Sequence, residues 1–402
     1  MSKKEIYTMK GTGRRPIRVL YTTHASNLTG ASRSLLDMLA GLPGGEVAPT
    51  VLLRKHGPLE KKLDEINVPY VVIPHVPWVN SKRGRFPDSF KRFVHMIAQP
   101  RIDRYVRRGG FDLVHSNSLL CGAGMIAARK AGIPYVSHIR EMVKEGHGMH
   151  HLNGCRARKV VGDASRVICI SKVVAQKYKG WYRKGTCSVI HDGIDVMAYC
   201  NEHGELFTSE VTSLLMAGGF APGKGQFEAI QAAELLLARG VQVHLTLVGE
   251  ARDAAYRRKC DKYILAHHLE GHVESLDFHD DISALRALAD ISLTCSTNEA
   301  MGRVTAEGMM AGCLAIVAKD GAALEIVSDG ETGYLYESNC PSALATCVEQ
   351  AIMHREESRR IAHKGQHWAC EHFDMHAYGK RLVELYRECL FQTEKRIGHS
   401  EE

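Results

Sequence analysis

The chain has 402 residues, of which 45% are hydrophobic and 24% charged, enough apolar sequence to bury the cores of two domains. Its net charge of +7 is unevenly divided, because residues 1–200 contain 33 basic against 14 acidic residues and residues 201–402 contain 19 against 31. No apolar run is long enough to span a membrane and the polar start does not resemble a signal peptide, so we expect a cytoplasmic protein.

Short apolar runs alternate with helical stretches along the whole chain, a pattern typical of parallel sheets with crossover helices. The predicted strands of the first half are residues 17–21, 50–53, 70–73, 113–116, 134–138, 166–170 and 187–191. Those of the second half are residues 213–216, 243–248, 273–277, 291–295 and 314–318. We therefore predict an α/β fold with two doubly wound, Rossmann-like domains.

The boundary between these domains is expected in a polar linker near residues 201–210. This gives an N-terminal domain of residues 1–200, a C-terminal domain of residues 201–374 and a final helix within residues 375–402. In doubly wound folds, ligands bind beyond the carboxyl ends of the strands. Two such edges facing each other would place the site in the cleft between the domains.

The loop after the first strand is a candidate ligand-binding element. Residues 22–34 are rich in hydroxyl side chains and enter a predicted helix near Ser32, just after Gly30. Such a loop presents N–H groups to a phosphate or to an acceptor. The earlier Gly11-Thr-Gly13 is not a dinucleotide signature, because it precedes the strand instead of following it.

Residues 82–108 form the most basic stretch of the chain. Phe86, Phe90, Phe93 and Met96 are interleaved with its lysines and arginines at near-helical spacing. This combination suits an interfacial helix on an anionic membrane surface. An ordinary amphipathic helix that covers the N-terminal core would show the same pattern. Nucleic acid is disfavoured as a partner, since no nucleic-acid-binding module is recognisable.

Histidines end two of the predicted strands of the first half. His138 ends the strand of residues 134–138, and Arg140 and Glu141 follow it on the predicted edge of the cleft. His115, at the end of the strand of residues 113–116, is a weaker candidate. A structural role is the alternative for both.

A metal site is a further interpretation that the sequence raises. Three histidines lie close to two glutamates: His147, His150, His151, Glu141 and Glu145. A glycine-rich, solvated loop is favoured here, since no zinc motif is present. Asp277 and Asp280 do not form an Asp-x-Asp motif, and the twelve cysteines are scattered without a Cys-x-x-Cys pair, which favours buried thiols. We expect no required metal.

A glycine-rich turn follows the strand of residues 213–216 and reads Gly218-Gly219-Phe-Ala-Pro-Gly-Lys224-Gly225. The ammonium group of Lys224 can reach a diphosphate as a mobile cation. Gly218 and Gly219 allow a ligand to approach the backbone closely. Taken alone, a solvent-exposed turn lysine would be the better interpretation.

The most informative segment follows the strand of residues 291–295 and reads Glu299-Ala-Met301-Gly302-Arg303-Val304-Thr-Ala-Glu307. A helix is predicted from about residue 303 to 311, so the N–H groups near Gly302 to Val304 open it and favour an anion. Glu307 lies inside this helix, where its two oxygens suit a vicinal diol such as a ribose. The segment thus predicts a phosphate site between two acceptors of hydroxyl groups.

The glycine-rich turn of residues 218–225, the segment of residues 299–307 and Gly330-Glu-Thr-Gly333 follow one another in a characteristic order and spacing. In this they resemble the retaining glycosyltransferases of family four, which have the GT-B fold. The resemblance covers about residues 18–390. It implies that two Rossmann-like domains face each other across a cleft and that a helix near residues 375–390 packs back on the N-terminal domain. It also implies that a nucleotide diphosphate sugar is a substrate and that no cofactor is needed.

The resemblance also implies roles for individual residues. His138 would contact the transferred sugar, Lys224 the diphosphate and Glu299 a sugar hydroxyl, and these three are the predicted catalytic residues. The predicted donor-binding residues are Gly30, Gly218, Gly219, Met301, Gly302, Arg303, Val304 and Glu307, the last on the ribose.

The chain departs from the family pattern at two positions. Family members commonly have an arginine where this chain has Gly219, and two adjacent glycines where it has Gly30 and Ala31. Arg303 or a cation of the N-terminal domain is expected to supply the missing charge.

The function implied is transfer of a hexosyl or N-acetylhexosaminyl group with retention at the anomeric carbon. A UDP-sugar is favoured as donor over a GDP-sugar, and a glycan or lipid-linked acceptor fits cell-envelope polysaccharide or glycolipid synthesis at the inner face of the membrane. A nucleotide-sugar epimerase, a sugar phosphate synthase or a binding protein that has lost transfer would use the same donor pocket.

Overall fold

The computed structural model describes residues 15–28, 30–81, 86–145, 148–200, 205–279 and 282–398. The chain divides into two compact units. Unit 1 contains the residues up to Ile194 and those from Asp374 onward, and unit 2 contains Asp195–Phe373. In the part of the chain that the structure describes, no helix has the length and apolar character needed to cross a bilayer.

Unit 1 is built on a parallel sheet of seven strands. In chain order the strands of unit 1 are β1 Ile17–Thr22, β2 Val47–Leu53, β3 Tyr70–Val72, β4 Val79–Ser81, β5 Leu113–Ser116, β6 Tyr135–Ile139, β7 Met149–His151, β8 Arg166–Cys169 and β9 Cys187–Val189. The sheet order is β3-β2-β1-β5-β6-β8-β9, while β4 and β7 form a separate antiparallel pair. The seven strands predicted for the first half are thus confirmed.

Helices cover this sheet and complete unit 1. They are α1 Gly30–Ala40, α2 Leu59–Glu65, α3 Asp88–Arg108, α4 Ala123–Ala131, α5 Gly154–Gly162, α6 Lys172–Lys177 and, from the end of the chain, α15 Met375–Gly398. The apolar side of α15 joins the core of this sheet through Leu382, Val383, Tyr386 and Cys389. α1 starts at Gly30, two residues before the predicted position, so the backbone of Gly30 is already part of its first turn.

Unit 2 is built on a second parallel sheet, with order β12-β11-β10-β13-β14-β15. Its strands are β10 Thr212–Ala217, β11 Val243–Val248, β12 Val273–Leu276, β13 Ile291–Thr294, β14 Leu314–Ala318 and β15 Tyr334–Tyr336. Its helices are α7 Val196–Tyr199, α8 Gln226–Ala238, α9 Ala254–Ala266, α10 Ser283–Ala287, α11 Arg303–Met310, α12 Ala323–Ile326, α13 Pro341–Met353 and α14 Arg355–His372. The five predicted strands and the predicted helix after residue 303 are confirmed.

The structure differs from the sequence analysis at three places. The segment expected to be a solvated loop contains β7, in which the backbone of Met149–His151 pairs with β4. β15 has only three residues and was not predicted. The expected polar linker is not polar throughout, because Leu206 and Phe207 are buried in the core of unit 2.

Small residues bring α11 close to the sheet that carries it. A Cβ atom at Gly308 would lie 2.3 Å from the Oγ of Ser292 on β13, so only glycine permits this approach. On the same strand, Thr294 accepts a hydrogen bond from the hydroxyl of Thr305 at 2.9 Å. The helix that carries Glu307 is therefore fixed against the end of β13.

Candidate functional site

Two loops at the carboxyl edge of the unit 2 sheet hold each other in place. The N–H of Thr297, after β13, donates to the carbonyl of Gly223, after β10, at 3.0 Å. Gly225 has φ +79°, and a Cβ there would lie 2.5 Å from the carbonyl oxygen of Cys295, so this position requires glycine. The side-chain amide of Gln226 donates to the carbonyls of Gly218 and Gly219 at 3.2 Å each.

This arrangement brings together two of the predicted catalytic residues. The Nζ of Lys224 lies 2.7 Å from Oε2 of Glu299, although the residues are 75 positions apart. Burial alone would raise the pKa of Glu299, but the charge and hydrogen bond of Lys224, with further hydrogen bonds from Ser296 and the N–H of Gly302, hold that pKa below its ordinary value. Glu299 is therefore an ionised carboxylate that accepts hydrogen bonds.

The predicted phosphate-binding turn lies directly beside this pair. Gly302 precedes α11 with φ +83°, and its N–H donates a hydrogen bond to the carboxylate of Glu299. The first N–H groups of the helix itself belong to Arg303 and Val304, both half-buried, and they carry the positive end of the helix dipole. Met301 is buried, so its side chain serves packing, and only its backbone remains for a ligand.

Glu307 lies one turn further and is bonded to two arginines. Its Oε2 accepts from Nη2 of Arg286 at 2.5 Å, and its Oε1 accepts from Nε of Arg303 at 2.7 Å. Burial would raise the pKa of Glu307, but the two guanidinium groups outweigh it and lower the pKa. Each carboxylate oxygen keeps a second lone pair for a ligand.

Sequence reasoning did not identify Arg286. It lies on α10, is 2% exposed, and its guanidinium lies 4.9 Å from the ring centroid of Tyr199 on α7. The one sequence signal is an arginine inside an otherwise apolar run, Ala284-Leu-Arg-Ala-Leu-Ala289. Such a residue needs a buried partner, but the run does not say which carboxylate provides it.

The space that a side chain at position 219 would fill is taken by the side chain of another arginine. A Cβ at Gly219 would lie 2.6 Å from Nε and 2.7 Å from Cδ of Arg252, which follows β11. The side chain of Arg252 therefore lies across the bare backbone of Gly219. Arg252 is exposed and has no side-chain ion pair among the described residues. Arg303, the cation expected to replace the missing charge, is instead paired with Glu307.

The two remaining predicted site residues lie in unit 1. Gly30 opens α1, and a Cβ there would meet no atom within 4 Å, so the space beside it is open. The carbonyl of Ala31 accepts from Nδ2 of Asn117 at 3.1 Å, and Oδ1 of Asn117 accepts from Nε of Arg140 at 3.1 Å. Arg140 also donates to Asp192, so buried polar groups connect the α1 loop to the end of β6.

His138 lies at the centre of these groups and is fully buried. Its Nδ1 is 3.2 Å from Nη2 of Arg140 and 3.2 Å from Nε2 of His115. Burial, with the charge of Arg140 and the neighbouring His115, places the pKa of His138 well below its ordinary value, so the ring is neutral. Burial also raises the pKa of the adjacent Glu141 to about 7.

The histidines of the metal-site interpretation are dispersed. His150 pairs with Asp88 at 2.9 Å, and His151 packs against Trp78 and Trp181. His147 and Asp280 lie outside the described residues. Within the described ranges, no group of three histidine, cysteine or acidic side chains is placed to hold a metal ion.

The two doubly wound units have the GT-B fold, to which solved structures of glycosyltransferases also belong. Over 92% of this chain and 99% of the other, Anabaena Alr3699/HepE in complex with UDP and glucose matches with a TM-score of 0.78 at 23% identity. Sucrose-phosphate synthase from Thermosynechococcus elongatus matches with a TM-score of 0.71 at 17% identity, over 93% of this chain and 99% of that one. These likenesses show the fold.

The family follows from the sequence itself. Residues 28–197 match the model of glycosyltransferase family 4, and residues 203–368 match that of glycosyl transferases group 1. The putative glycosyltransferase EpsD of Bacillus subtilis is 26% identical over 281 residues, which is 64% of this chain and 71% of that protein. D-inositol 3-phosphate glycosyltransferase of Mycolicibacterium gilvum is 25% identical over 61% of this chain and 59% of its own length. The chain belongs to the group 1, family 4 glycosyltransferases.

Proposed function

We propose that this glycosyltransferase moves a sugar from a nucleotide diphosphate sugar to a hydroxyl group with retention at the anomeric carbon. The observation that carries the proposal is the ion pair of Lys224 and Glu299 next to the first N–H groups of α11. A UDP-sugar is favoured, since HepE was solved with UDP and glucose; a GDP-sugar is the alternative, since a mannosyltransferase relative is described as GDP-mannose-dependent.

The described residues divide the donor between them. Lys224 meets the diphosphate as a cation, and the N–H groups of Arg303 and Val304 bind its oxygens. Glu307 accepts hydrogen bonds from the ribose through its second lone pairs, and Glu299 accepts one from a sugar hydroxyl. His138 is the residue that we assign to a contact with the transferred sugar.

Catalysis in this proposal is mainly positioning and electrostatic stabilisation of the leaving diphosphate. A retaining glycosidase uses a second carboxylate as nucleophile. Here Glu299 and Glu307 are each bonded to cations, which makes both poor nucleophiles. In the proposed mechanism the departing phosphate therefore assists removal of the acceptor proton on the same face of the sugar, through an oxocarbenium-like ion pair. The proposal includes no metal or cofactor.

A test should identify the donor before the acceptor. Thermal unfolding of the purified chain would be followed against UDP- and GDP-sugars, with and without chelator. A ligand at a hundred times its dissociation constant adds about 2.7 kcal/mol to the free energy of unfolding. The product formed with simple glycosyl acceptors would then be analysed by NMR for its anomeric configuration. An inverted product, an epimerised donor, or binding without any transfer would each refute the proposal.

Arg252 is the cation that we expect to complete the charge of the diphosphate site. This site contains three cations, Lys224, Arg286 and Arg303, and they are paired with the carboxylates of Glu299 and Glu307. The cluster therefore has one net positive charge, whereas a diphosphate carries more than one negative charge. Replacing Arg252 by alanine is expected to weaken binding of the nucleotide diphosphate by about tenfold, since a charged hydrogen bond contributes roughly 1.5–3 kcal/mol. Calorimetric titration with the nucleotide measures this.

The lost charge can be returned from the neighbouring position. Gly219→Arg in the Arg252→Ala background puts a guanidinium where the two residues meet, and we expect most of the affinity to return. Gly219→Arg alone should bind worse than the double variant, because its side chain meets Arg252. Arg258→Ala, an exposed charge on α9, is the matched control. Equal affinity in the Arg252→Ala and Arg258→Ala variants would rule out this role.

We further propose that unit 1 associates with an anionic membrane surface through α3, where a lipid-linked acceptor would be found. Apolar residues just before α3 and in its first half are exposed, namely Phe86 44%, Phe90 45%, Phe93 54%, Met96 65% and Ile97 54%. Lys91, Arg92, Arg101 and Arg104 lie among or just after them. The amphipathic-helix alternative accounts for the buried face further along α3, but not for this exposed apolar patch. Residues 82–85 of the predicted surface lie outside the described residues.

Replacing Phe90 and Phe93 together by serine is expected to reduce binding to vesicles containing anionic lipid by at least tenfold. The substitution removes two aromatic rings whose apolar area would be buried in the lipid interface. Co-sedimentation with phosphatidylglycerol vesicles measures the effect, and added salt should weaken binding of the unmodified chain. Leu265→Ser with Leu288→Ser, two exposed leucines of unit 2, serves as the control. If both pairs of substitutions reduce binding alike, α3 is not the membrane surface.

A further inference from the structure

A line of buried polar groups leads from the C-terminal helix to His138. The hydroxyl of Tyr386, on α15, lies 2.7 Å from Nδ1 of His115. Nε2 of His115 lies 3.2 Å from Nδ1 of His138. All three side chains are 0% exposed, and Tyr386 is 271 positions from His115 in the sequence. Solvent does not reach them, so the hydrogen-bond partners of each ring determine which nitrogen carries its proton.

Arg140 fixes the proton of His138. A guanidinium has only donors, and its Nη2 lies 3.2 Å from Nδ1 of His138. A proton on that Nδ1 would place two N–H groups against each other beside a cation. Nδ1 is therefore the acceptor, and the neutral ring of His138 carries its proton on Nε2.

The same reasoning fixes His115. Its Nε2 lies 3.2 Å from the unprotonated Nδ1 of His138, and a proton on this Nε2 avoids two lone pairs that face each other; the two donors, His115 and Arg140, then share the lone pair of Nδ1. A neutral His115 then has an acceptor at Nδ1, which receives the hydroxyl proton of Tyr386. The hydroxyl groups of Tyr386 and Tyr21 lie 3.2 Å apart, and because the one proton of Tyr386 goes to His115 over the shorter distance, the hydroxyl of Tyr21 donates in this pair. Each group thus determines the tautomer of the next.

His138, at the end of this line, lies near the carboxylate of Asp192 but does not form a hydrogen bond with its Oδ1. Nε2 of His138 and Oδ1 of Asp192 lie 3.8 Å apart, which is too far for a hydrogen bond. Both atoms are buried, and neither has a hydrogen-bond partner among the described residues. A hydroxyl group has both a donor and an acceptor, so one hydroxyl can accept from Nε2–H and donate to Oδ1.

We propose that Tyr386 and His115 are positioning residues that hold His138 as a neutral Nε2–H donor for a hydroxyl of the donor sugar. This rests on the proposed function, since it takes the sugar as the ligand of His138. Through the oxygen of Tyr386, the C-terminal helix α15 thereby contributes to the orientation of His138.

The tautomer can be read without any substrate. Long-range proton–nitrogen correlation spectra of the chain labelled with ¹⁵N-histidine distinguish the two tautomers, and His138→Gln and His115→Gln assign the signals. We expect both rings to carry the proton on Nε2. In Tyr386→Phe the His115 signal should move toward a mixture of tautomers, because its Nδ1 loses the donor. Tyr135→Phe, which removes another buried hydroxyl of unit 1, should leave both rings unchanged.

Kinetic measurements distinguish a loss of positioning from a loss of folding. Tyr386→Phe is expected to lower kcat/KM for the donor sugar by about two- to tenfold, the effect of one hydrogen bond, while affinity for the nucleotide alone stays the same. His115→Leu should cost more than His115→Gln, whose amide N–H keeps a donor toward His138. Melting temperatures of all variants are measured beside Tyr135→Phe.

Two results would overturn the inference, and both are distinct from failure of the proposed function. One is a proton on Nδ1 of His138 in the unmodified chain, whatever the activity. The other is a Tyr386→Phe variant whose histidine signals and donor kinetics both match those of Tyr135→Phe. Absence of sugar transfer in the unmodified chain, with the tautomers as expected, would instead refute the proposed function.

Discussion

Glu299→Gln is expected to lower kcat/KM for glycosyl transfer by about a hundredfold. The glutamine keeps the shape of the side chain but loses the charge that holds the ammonium of Lys224 at 2.7 Å. Truncating one partner of a partly buried, hydrogen-bonded ion pair costs about 2–5 kcal/mol, and each 1.36 kcal/mol is a factor of ten in rate. Initial rates at low donor concentration measure the loss directly.

The pair should act as a unit in this experiment. Lys224→Met is expected to lower kcat/KM by a similar factor, and the double variant should be little worse than either single one, because the interaction can be lost only once. Glu331→Gln removes an exposed carboxylate from the same unit and serves as the control. If Lys224→Met and Glu299→Gln multiply their effects, the two residues act separately and the ion pair is only a feature of the resting site.

The sequence predicted where Lys224 and Glu299 lie, and the sheet explains why. Each follows an apolar run that forms a parallel strand, and the carboxyl ends of parallel strands meet at one edge. β10 and β13 are neighbours in the sheet, so residues 75 positions apart become adjacent. Strand order was not predicted from the pattern of apolar residues, and the salt bridge is a consequence of that order.

Other parts of the candidate site had no local signal. The partner of Glu307 on α10 is one arginine in a five-residue helix, and its burial comes from tertiary packing. Tyr386 looks like any apolar position of α15 until β5 places His115 beside its hydroxyl. The β4–β7 pair joins segments about 70 residues apart without a turn sequence between them. Periodicity reports local structure, so contacts between distant segments lie beyond it.

Glu307→Ala is expected to lower the free energy of unfolding of unit 2 by about 3–5 kcal/mol. The carboxylate is bonded to Arg286, whose side chain is 2% exposed, and its removal leaves a buried cation without this partner. Urea-induced unfolding without ligand measures the change. Glu349→Ala breaks the more exposed pair of Arg239 and Glu349, at 2.7 Å, and should cost less than about 1 kcal/mol.

The same substitution should weaken donor binding by about ten- to a hundredfold, the value of a charged hydrogen bond to the ribose. Stability and binding can be separated with Arg286→Met in the Glu307→Gln background. A buried ion pair replaced by apolar and neutral groups of similar volume recovers most of its stability. We expect this double variant to unfold near the unmodified chain yet still to bind donor weakly. Recovery of affinity together with stability would show that Glu307 only holds Arg286 and Arg303, and the ribose assignment would fail.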